Sequence, residues 1–398
     1  MLPVYLVIFA MQAVYADPLY RDITDTRLPD IVGACMDAAA GDVDGDGDID
    51  LVLAMEFSPN LLLINTGGGL FDLASGLDMP RTIHDSEEVG LADFDSDGDL
   101  DMFFVSEDDQ VNEFYLQLAP GSYVDSSYRL EVTDTSNSLA ILDLDNDGDQ
   151  DVLIGNIGEN RVLINDGSGS FRDETRARWL NEGRTQDIEL ADVDNDGDLD
   201  VITANEGRNA LYLNTGLGTL VLAEDNMPPL DDESREIRAV DADDDGDLDL
   251  LVANVRFNTF GSQEDYFLLN NGKGVFTEVP ANYYPAGERN HFTLQVVDLD
   301  QDGDMDVLLP HAEISRLGGN VMTLLNDGHG VFSEVKEGGP LPYPLYGNGF
   351  DIEVADFNGD GYDDLFFCNR AANTRSRNLD RDGRSRLLIY AGSKTGSE

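Results

Sequence analysis

Positive charge is scarce in this sequence. Of 398 residues, 24 are Lys or Arg and 80 are Asp or Glu, giving a formal net charge of −56. Such a balance repels phosphate backbones and anionic lipid, which argues against nucleic acid and membrane surfaces as partners. It also works against a compact state unless something neutralises it. Cysteine is nearly absent: Cys35 and Cys368 are too few for a disulfide framework. No Gly-x-Ser-x-Gly elbow, His-Glu-x-x-His pair or phosphate-cradling glycine loop occurs, so no familiar catalytic signature is present. Long hydrophobic runs are missing after the opening "MLPVYLVIFAMQAVYA", and no later segment reaches the length a bilayer requires. That opening ends in Val14-Tyr15-Ala16, which resembles a signal-peptidase site. The expectation is a signal peptide over 1–16 and a mature chain of 17–398 that is secreted, extracellular or periplasmic.

What is present is a repeat. The stretch "DVDGDGDID" at 42–50 returns in six further versions starting at 93, 143, 192, 241, 298 and 356. A period near fifty suits a unit of four short strands, the blade of a propeller. An apolar run enters each acidic loop, and a β-rich run such as "LVLA", "MFFV" or "LFFC" leaves it. Further on, "RVLINDGSGSF" and "YFLLNNGKGVF" read as a strand, a glycine hairpin and a last strand. With the strands lettered A to D, the acidic loop joins A to B and the hairpin joins C to D. The last period stops after strand C, whereas "PLYRDITD" near the start resembles the D segment "GSFRDETR". The expected fold is therefore all-β: a seven-bladed propeller with four antiparallel strands per blade, the N-terminal strand completing the last blade. That closure removes open sheet edges. It also brings Cys35 toward Cys368, as a disulfide or as two buried thiols. The stretch "NLDRDGRSR" at 378–386 has the wrong spacing and Arg386 at its ninth place, and reads as a connection.

Each loop follows Asp-x-Asp/Asn-x-Asp-Gly-x-x-Asp, with Gly at position 6 in all seven. Oxygen side chains at alternating positions of a tight turn converge on one point, which suits a hard cation wanting six to eight oxygens, and Ca²⁺ above all. The EF-hand's late Glu is lacking: position 12 holds Leu53, Phe104, Ile154, Thr203, Val252, Leu309 or Phe367. His and Cys are absent from the loops, which argues against zinc. Mg²⁺ demands a stricter octahedron. The expected calcium residues are Asp42, Asp44, Asp46, Asp48 and Asp50 in the first loop and Asp93, Asp95, Asp97, Asp99 and Asp101 in the second. Asp143, Asp145, Asp147, Asp149 and Asp151 follow, then Asp192, Asp194, Asp196, Asp198 and Asp200. The fifth and sixth loops offer Asp241, Asp243, Asp245, Asp247, Asp249 and Asp298, Asp300, Asp302, Asp304, Asp306. The seventh offers Asp356, Asn358, Asp360, Tyr362 and Asp364, positions 7 acting through their carbonyls. About seven structural Ca²⁺ ions would result.

With companions such as "LLINTGGGLF" and "LLNDGHGVF", the loops resemble those of FG-GAP and VCBS repeat proteins, calcium-loop propellers related to the integrin α-subunit head. The resemblance covers nearly all of the mature chain. It implies a seven-bladed propeller with calcium loops on one face, and roles in adhesion, glycan binding or as accessory parts of secreted enzymes.

The B–C and D–A connections would occupy the opposite face. Arginines including Arg161, Arg178, Arg235, Arg238 and Arg370 fall in or near them, with Trp179, Tyr283, Tyr284 and Tyr343. Such a face could grip an anionic glycan or a cell-surface protein, since guanidinium pairs bidentately with carboxylate or sulfate. The same arginines could instead pair with neighbouring carboxylates. The expected function is a secreted calcium-binding recognition or adhesion module. The alternative is a polysaccharide lyase or hydrolase using His291 or His311 beside Arg289 or Arg316.

Overall fold

A computed structural model describes residues 17–392 except 32, 76–77, 131, 182, 256–263, 281–282, 286–289, 312–318, 336, 344, 348 and 371–383. The expected signal peptide over 1–16, Arg289, Arg316 and most of the connection before Arg386 lie outside the described residues. No helix among the described residues is long and apolar enough to cross a membrane.

The architecture is all-β; the helices among the described residues are single turns at Thr24–Arg27 and Thr175–Arg178 and a 3-10 turn at Ser127–Arg129. Strand A precedes each acidic loop: Ala34–Gly41, His84–Ala92, Ser136–Leu142, Gly183–Ala191, Asp231–Val240, Gln295–Val297 and Gly349–Ala355. Strand B begins on the loop's last aspartate: Asp50–Ser58, Asp101–Ser106, Asp151–Gly158, Asp200–Arg208, Asp249–Asn254, Asp306–Leu309 and Asp364–Asn369. B pairs antiparallel with C and C with D, as in Leu51↔Leu63 and Leu63↔Leu73. The final set takes its D strand from the N-terminus, in the register Tyr20↔Tyr390 and Asp22↔Leu388. Cys35 and Cys368 form a disulfide with Cα atoms 5.3 Å apart. Cys35 lies within the first A strand.

The B strands are apolar on both faces because each sheet packs against a neighbour on either side. Phe94, Phe103 and Phe114 of the second set pack against Val152, Leu163 and Phe171 of the third. Leu51, Leu63 and Phe71 of the first meet Phe357, Phe366 and Leu387 of the last. Apolar burial at roughly 25 cal/mol per Å² therefore accumulates between sets as well as within them.

The A strands are joined differently. Among the described residues no backbone ladder joins one A strand to the next, and side chains bridge them. Asp37 accepts the Val89 N–H at 2.8 Å, and Glu88 accepts the Leu139 N–H at 3.0 Å. Asn137 Nδ2 donates to the Thr185 carbonyl at 3.1 Å. Asp187 and Glu189 accept the N–H groups of Ile237 and Ala239 at 2.9 and 2.8 Å. Glu236 accepts from Leu294 at 2.9 Å, and Gln295 Nε2 donates to the Ile352 carbonyl at 2.7 Å. Asp351 and Glu353 then accept from Ala38 and Ala40 of the first set, at 3.2 and 3.0 Å. The links run through every set in order and return to the start, around a central channel.

Most A strands also carry a bulge, for example between Ser86 and Glu88 and between Ser234 and Glu236. A bulge re-aims one side chain. Met36, Glu87, Asn137, Gln186, Arg235 and Phe350 are turned toward the channel mouth, at the strand ends remote from the acidic loops.

Candidate functional site

All seven acidic loops share one backbone path. Position 4 is left-handed at Gly45, Ser96, Asn146, Asn195, Asp244, Gln301 and Gly359, with φ between 60° and 76°. Position 6 is left-handed again, from 89° at Gly361 to 101° at Gly303, and only glycine visits this region readily. These two reversals wrap the loop around its first aspartate. In the first loop, the N–H groups of Gly45 and Asp46 donate to Asp42 Oδ1 at 2.8 and 3.1 Å, and Gly47 donates to Oδ2 at 3.0 Å. The position-5 and position-6 N–H groups cap the first aspartate in the other six loops as well.

The carboxylates converge. One oxygen each from Asp42, Asp44 and Asp50 lie within 4.8 Å of one another, as do those of Asp93, Asp95, Asp101 and of Asp192, Asp194, Asp200. In the third loop the grouping is Asp143, Asp145 and Asp147. The Oδ1 atoms of Asp95, Asp145 and Asp243, all at position 3, are buried and accept no hydrogen bond. Buried oxygens without a donor are costly, by about 1–3 kcal/mol each. The donor set is oxygen only. A hard cation such as Ca²⁺ fits it, and Asp95, Asp145 and Asp243 supply oxygens that nothing else in the loops satisfies. Position-5 side chains are exposed, and Asp46 Oδ1 accepts the Asp48 N–H at 2.9 Å. Position-7 carboxylates leave the group. Asp149 lies against the hairpin at Gly167, where a Cβ would come within 2.6 Å of it.

Position 9 has a second role that the motif alone does not announce. Asp50 is fully buried; its Oδ2 accepts the Val43 N–H at 2.9 Å and its Oδ1 the Asn65 N–H at 2.7 Å. Asp101, Asp151, Asp200, Asp249, Asp306 and Asp364 repeat this clasp between loop and strand C. Burial pushes these carboxyls up, Asp50 to about 6 and Asp306 to about 8, against the lowering effect of the N–H donors. The clasped asparagine then reaches the preceding set: Asn65 Nδ2 donates to the Phe357 carbonyl and Asn165 Nδ2 to the Phe94 carbonyl, each at 2.8 Å. Asn270 and Asn326 do the same to Val193 and Ala242. Asp200→Ala orphans two buried N–H groups, each worth about 1–3 kcal/mol. The expected loss is about 2–6 kcal/mol in urea unfolding with calcium present, whereas Asp198→Ala, at position 7, should lose under about 1 kcal/mol.

The channel carboxylates are likewise raised by burial. Glu88, Glu236 and Glu353 lie well above the usual range, with neighbouring carboxylates adding to the effect and Arg238 opposing it in each case. Glu189 is pushed up to about 7. A carboxyl whose folded value exceeds its unfolded value binds its proton more tightly in the native state. Its stability contribution is complete below pH 4 and is lost as pH rises through the folded value. Metal-free protein should therefore melt higher at pH 5 than at pH 8, which thermal scans in chelated buffers would check; the opposite slope would contradict this assignment.

The arginines of the opposite face are largely engaged. Arg161 pairs with Asp134, Glu159 and Asp173; Arg178, expected on this face, lies instead on the acidic-loop side, where it pairs with Asp145 of the third loop and with Glu174. Arg184 holds Glu206 at 2.5 Å, and Arg370 pairs with Glu56. Arg238 belongs to strand A and sits in the channel beside Glu236, not in a connection. Trp179 and Tyr284 are core residues, 1% and 3% exposed, so they are not surface rings for a ligand. His291 is 1% exposed, with Nδ1 on Asp265 at 2.5 Å, and its ring centroid lies 5.8 Å from that of His311. His291, being buried, gives a bulky polymer no open base, whereas His311 beside it is half-buried.

What does open on this face is a cavity of about 310 Å³ at the channel mouth. Glu56, Glu87 and Glu107 line it together with Arg235 and Arg370. A stacked pair, Phe292 and Phe350 with centroids 4.5 Å apart, completes the lining. Sequence reading missed it because its residues come from different sets; the repeated "DIELAD" and "DIEVAD" were the available signal for a charged inner strand.

Comparison with solved structures places the fold. BBS1N in its complex with ARL6DN, from crystals soaked with lead or mercury, aligns with TM-score 0.57 at 11% and 12% identity, covering 94% of this chain and 97% of that one. An Agrocybe aegerita lectin that recognises non-reducing terminal N-acetylglucosamine aligns with TM-score 0.47 and 19% identity, covering 75% of this chain and 79% of that one. No curated protein sequence matches the chain. The FG-GAP-like repeat model matches five times, at 42–104, 93–154, 143–203, 192–252 and 255–309. Those segments span most of the ring of acidic loops, and the chain belongs to the FG-GAP-like repeat family.

Proposed function

We propose that the chain is a secreted, calcium-stabilised, seven-bladed β-propeller that acts as a recognition module for an anionic glycan or a cell-surface protein. Asp42, Asp44 and Asp50 and their counterparts at positions 1, 3 and 9 would hold Ca²⁺, with the position-5 carboxylate and position-7 carbonyl completing the shell. The ion's contribution is structural: it would neutralise carboxylates that otherwise repel one another inside one turn. The disulfide suits an oxidising compartment.

The observation that carries this reading is the difference between the two ends of the strands. At one end the loops repeat with the same two backbone reversals and the same capped aspartate. At the other, the cavity is lined at equivalent strand-A positions by residues that change from set to set: Met36, Glu87, Gln186, Arg235 and Phe350. Variation beside a fixed frame is where ligand recognition concentrates. An array of uronic-acid, sulfated and neutral glycans, run with and without calcium and with detection of new chain ends, tests it. Calcium-dependent retention that Phe350→Ala abolishes, without new ends, is the expected result. Production of new ends would replace it with the lyase or hydrolase reading.

A further inference from the structure

One group of carboxylates lies apart from the acidic loops. Asp85 and Glu87 stand near the start of the second A strand, and Glu107 follows the end of its B strand. The Glu107 N–H donates to the Asp85 carbonyl at 3.1 Å, which sets the two residues opposite each other. The bulge between Ser86 and Glu88 turns Glu87 toward the same place. One oxygen from each of the three lies within 4.8 Å of the others. The A strand separates this group from the Asp93 loop by about 25 Å, at ~3.3 Å per residue.

Repulsion among three carboxylates at this spacing needs an explanation, and the cations nearby among the described residues are already engaged elsewhere. Arg370 is paired with Glu56 and Arg235 with Glu206 and Glu233. Asp85 is 2% exposed; its Oδ2 takes the Asp108 N–H at 3.1 Å, but its Oδ1 is buried and accepts no hydrogen bond. A buried carboxylate oxygen without a donor, beside two further carboxylates that border open space, is an arrangement that a metal ion completes.

We infer that Asp85, Glu87 and Glu107 hold a divalent cation, Ca²⁺ by their all-oxygen chemistry, at the mouth of the central channel. The site differs in kind from the loops. Three protein carboxylates leave several of the six to eight coordination positions open. Glu87 and Glu107 line the cavity, so those positions face it. Water, or a hydroxyl or carboxylate of a bound ligand, would fill them. The assignment does not depend on calcium occupying the loops.

The test uses the full chain. Ca²⁺ bound per molecule is counted by equilibrium dialysis and elemental analysis for the wild type and for Glu87→Gln/Glu107→Gln, with circular dichroism to verify folding. The variant should bind one ion fewer, its remaining sites unchanged in affinity. Equal stoichiometry in a folded variant overturns the assignment. If the variant does not fold, a wild-type crystal soaked in Tb³⁺ decides: an anomalous peak among these three carboxylates supports the site, and peaks confined to the loops refute it.

Discussion

A chelator should lower the melting temperature of this protein by roughly 20 °C, and calcium should restore it. The size follows from mass action. An ion that binds only the native state adds about 2.7 kcal/mol per site at a hundredfold excess over its dissociation constant. Seven such sites would contribute about 19 kcal/mol. A chain of this length unfolds with an entropy of about 0.8 kcal/mol per kelvin, from ~2.1 cal/mol/K per residue. The structure makes the effect global: the loop aspartate that would touch the ion also clasps strand C. From strand C, Asn65, Asn165, Asn270 and Asn326 each reach a carbonyl in the preceding set's loop. Losing the ion therefore loosens the joints between sets as well as each turn. Differential scanning calorimetry with EDTA, then with excess Ca²⁺ or Mg²⁺, checks it. An unchanged curve would remove calcium from the account, and full rescue by Mg²⁺ would reassign the metal.

The loops, their period and the closing strand were legible because each is written locally. Nine residues fix an acidic turn, and "PLYRDITD" beside "GSFRDETR" shows which strand is borrowed. The structure then pairs Tyr20 with Tyr390 in the expected place. What stayed hidden depends on distance along the chain. Asp37 meets Val89 and Asp351 meets Ala38, separations of 52 and 313 residues. Nothing in the immediate neighbourhood of either aspartate shows that a backbone N–H awaits it. The arginines were ambiguous for a related reason. Arg178 serves Asp145, 33 residues away in an acidic loop, where a sequence shows only a basic residue near an aromatic one. Position 9 was recognised as a cation residue but not as a hydrogen-bond acceptor, because the asparagine it clasps lies 14 to 21 residues onward in the sets where strand C ends on Asn.

Replacing both cysteines, Cys35→Ala with Cys368→Ala, should destabilise the protein by about 4–5 kcal/mol and lower its melting temperature by about 6 °C. The bond joins residues 333 apart, so its removal releases nearly the whole chain as a loop. Loop-closure entropy places a crosslink of that span at the upper end of the usual range. The native ring does not depend on the bond alone. Strand Tyr20–Asp22 pairs with Arg386–Tyr390, Asp351 and Glu353 hold Ala38 and Ala40, and Asn65 holds the Phe357 carbonyl. The variant should therefore still fold, but open first at this seam. Amide exchange gives the specific readout: protection should fall most in Ala34–Gly41 and Gly349–Ala355, and least in the sets opposite. Uniform loss of protection would mean that the disulfide acts only on the unfolded chain, and that the ring has no preferred point of opening.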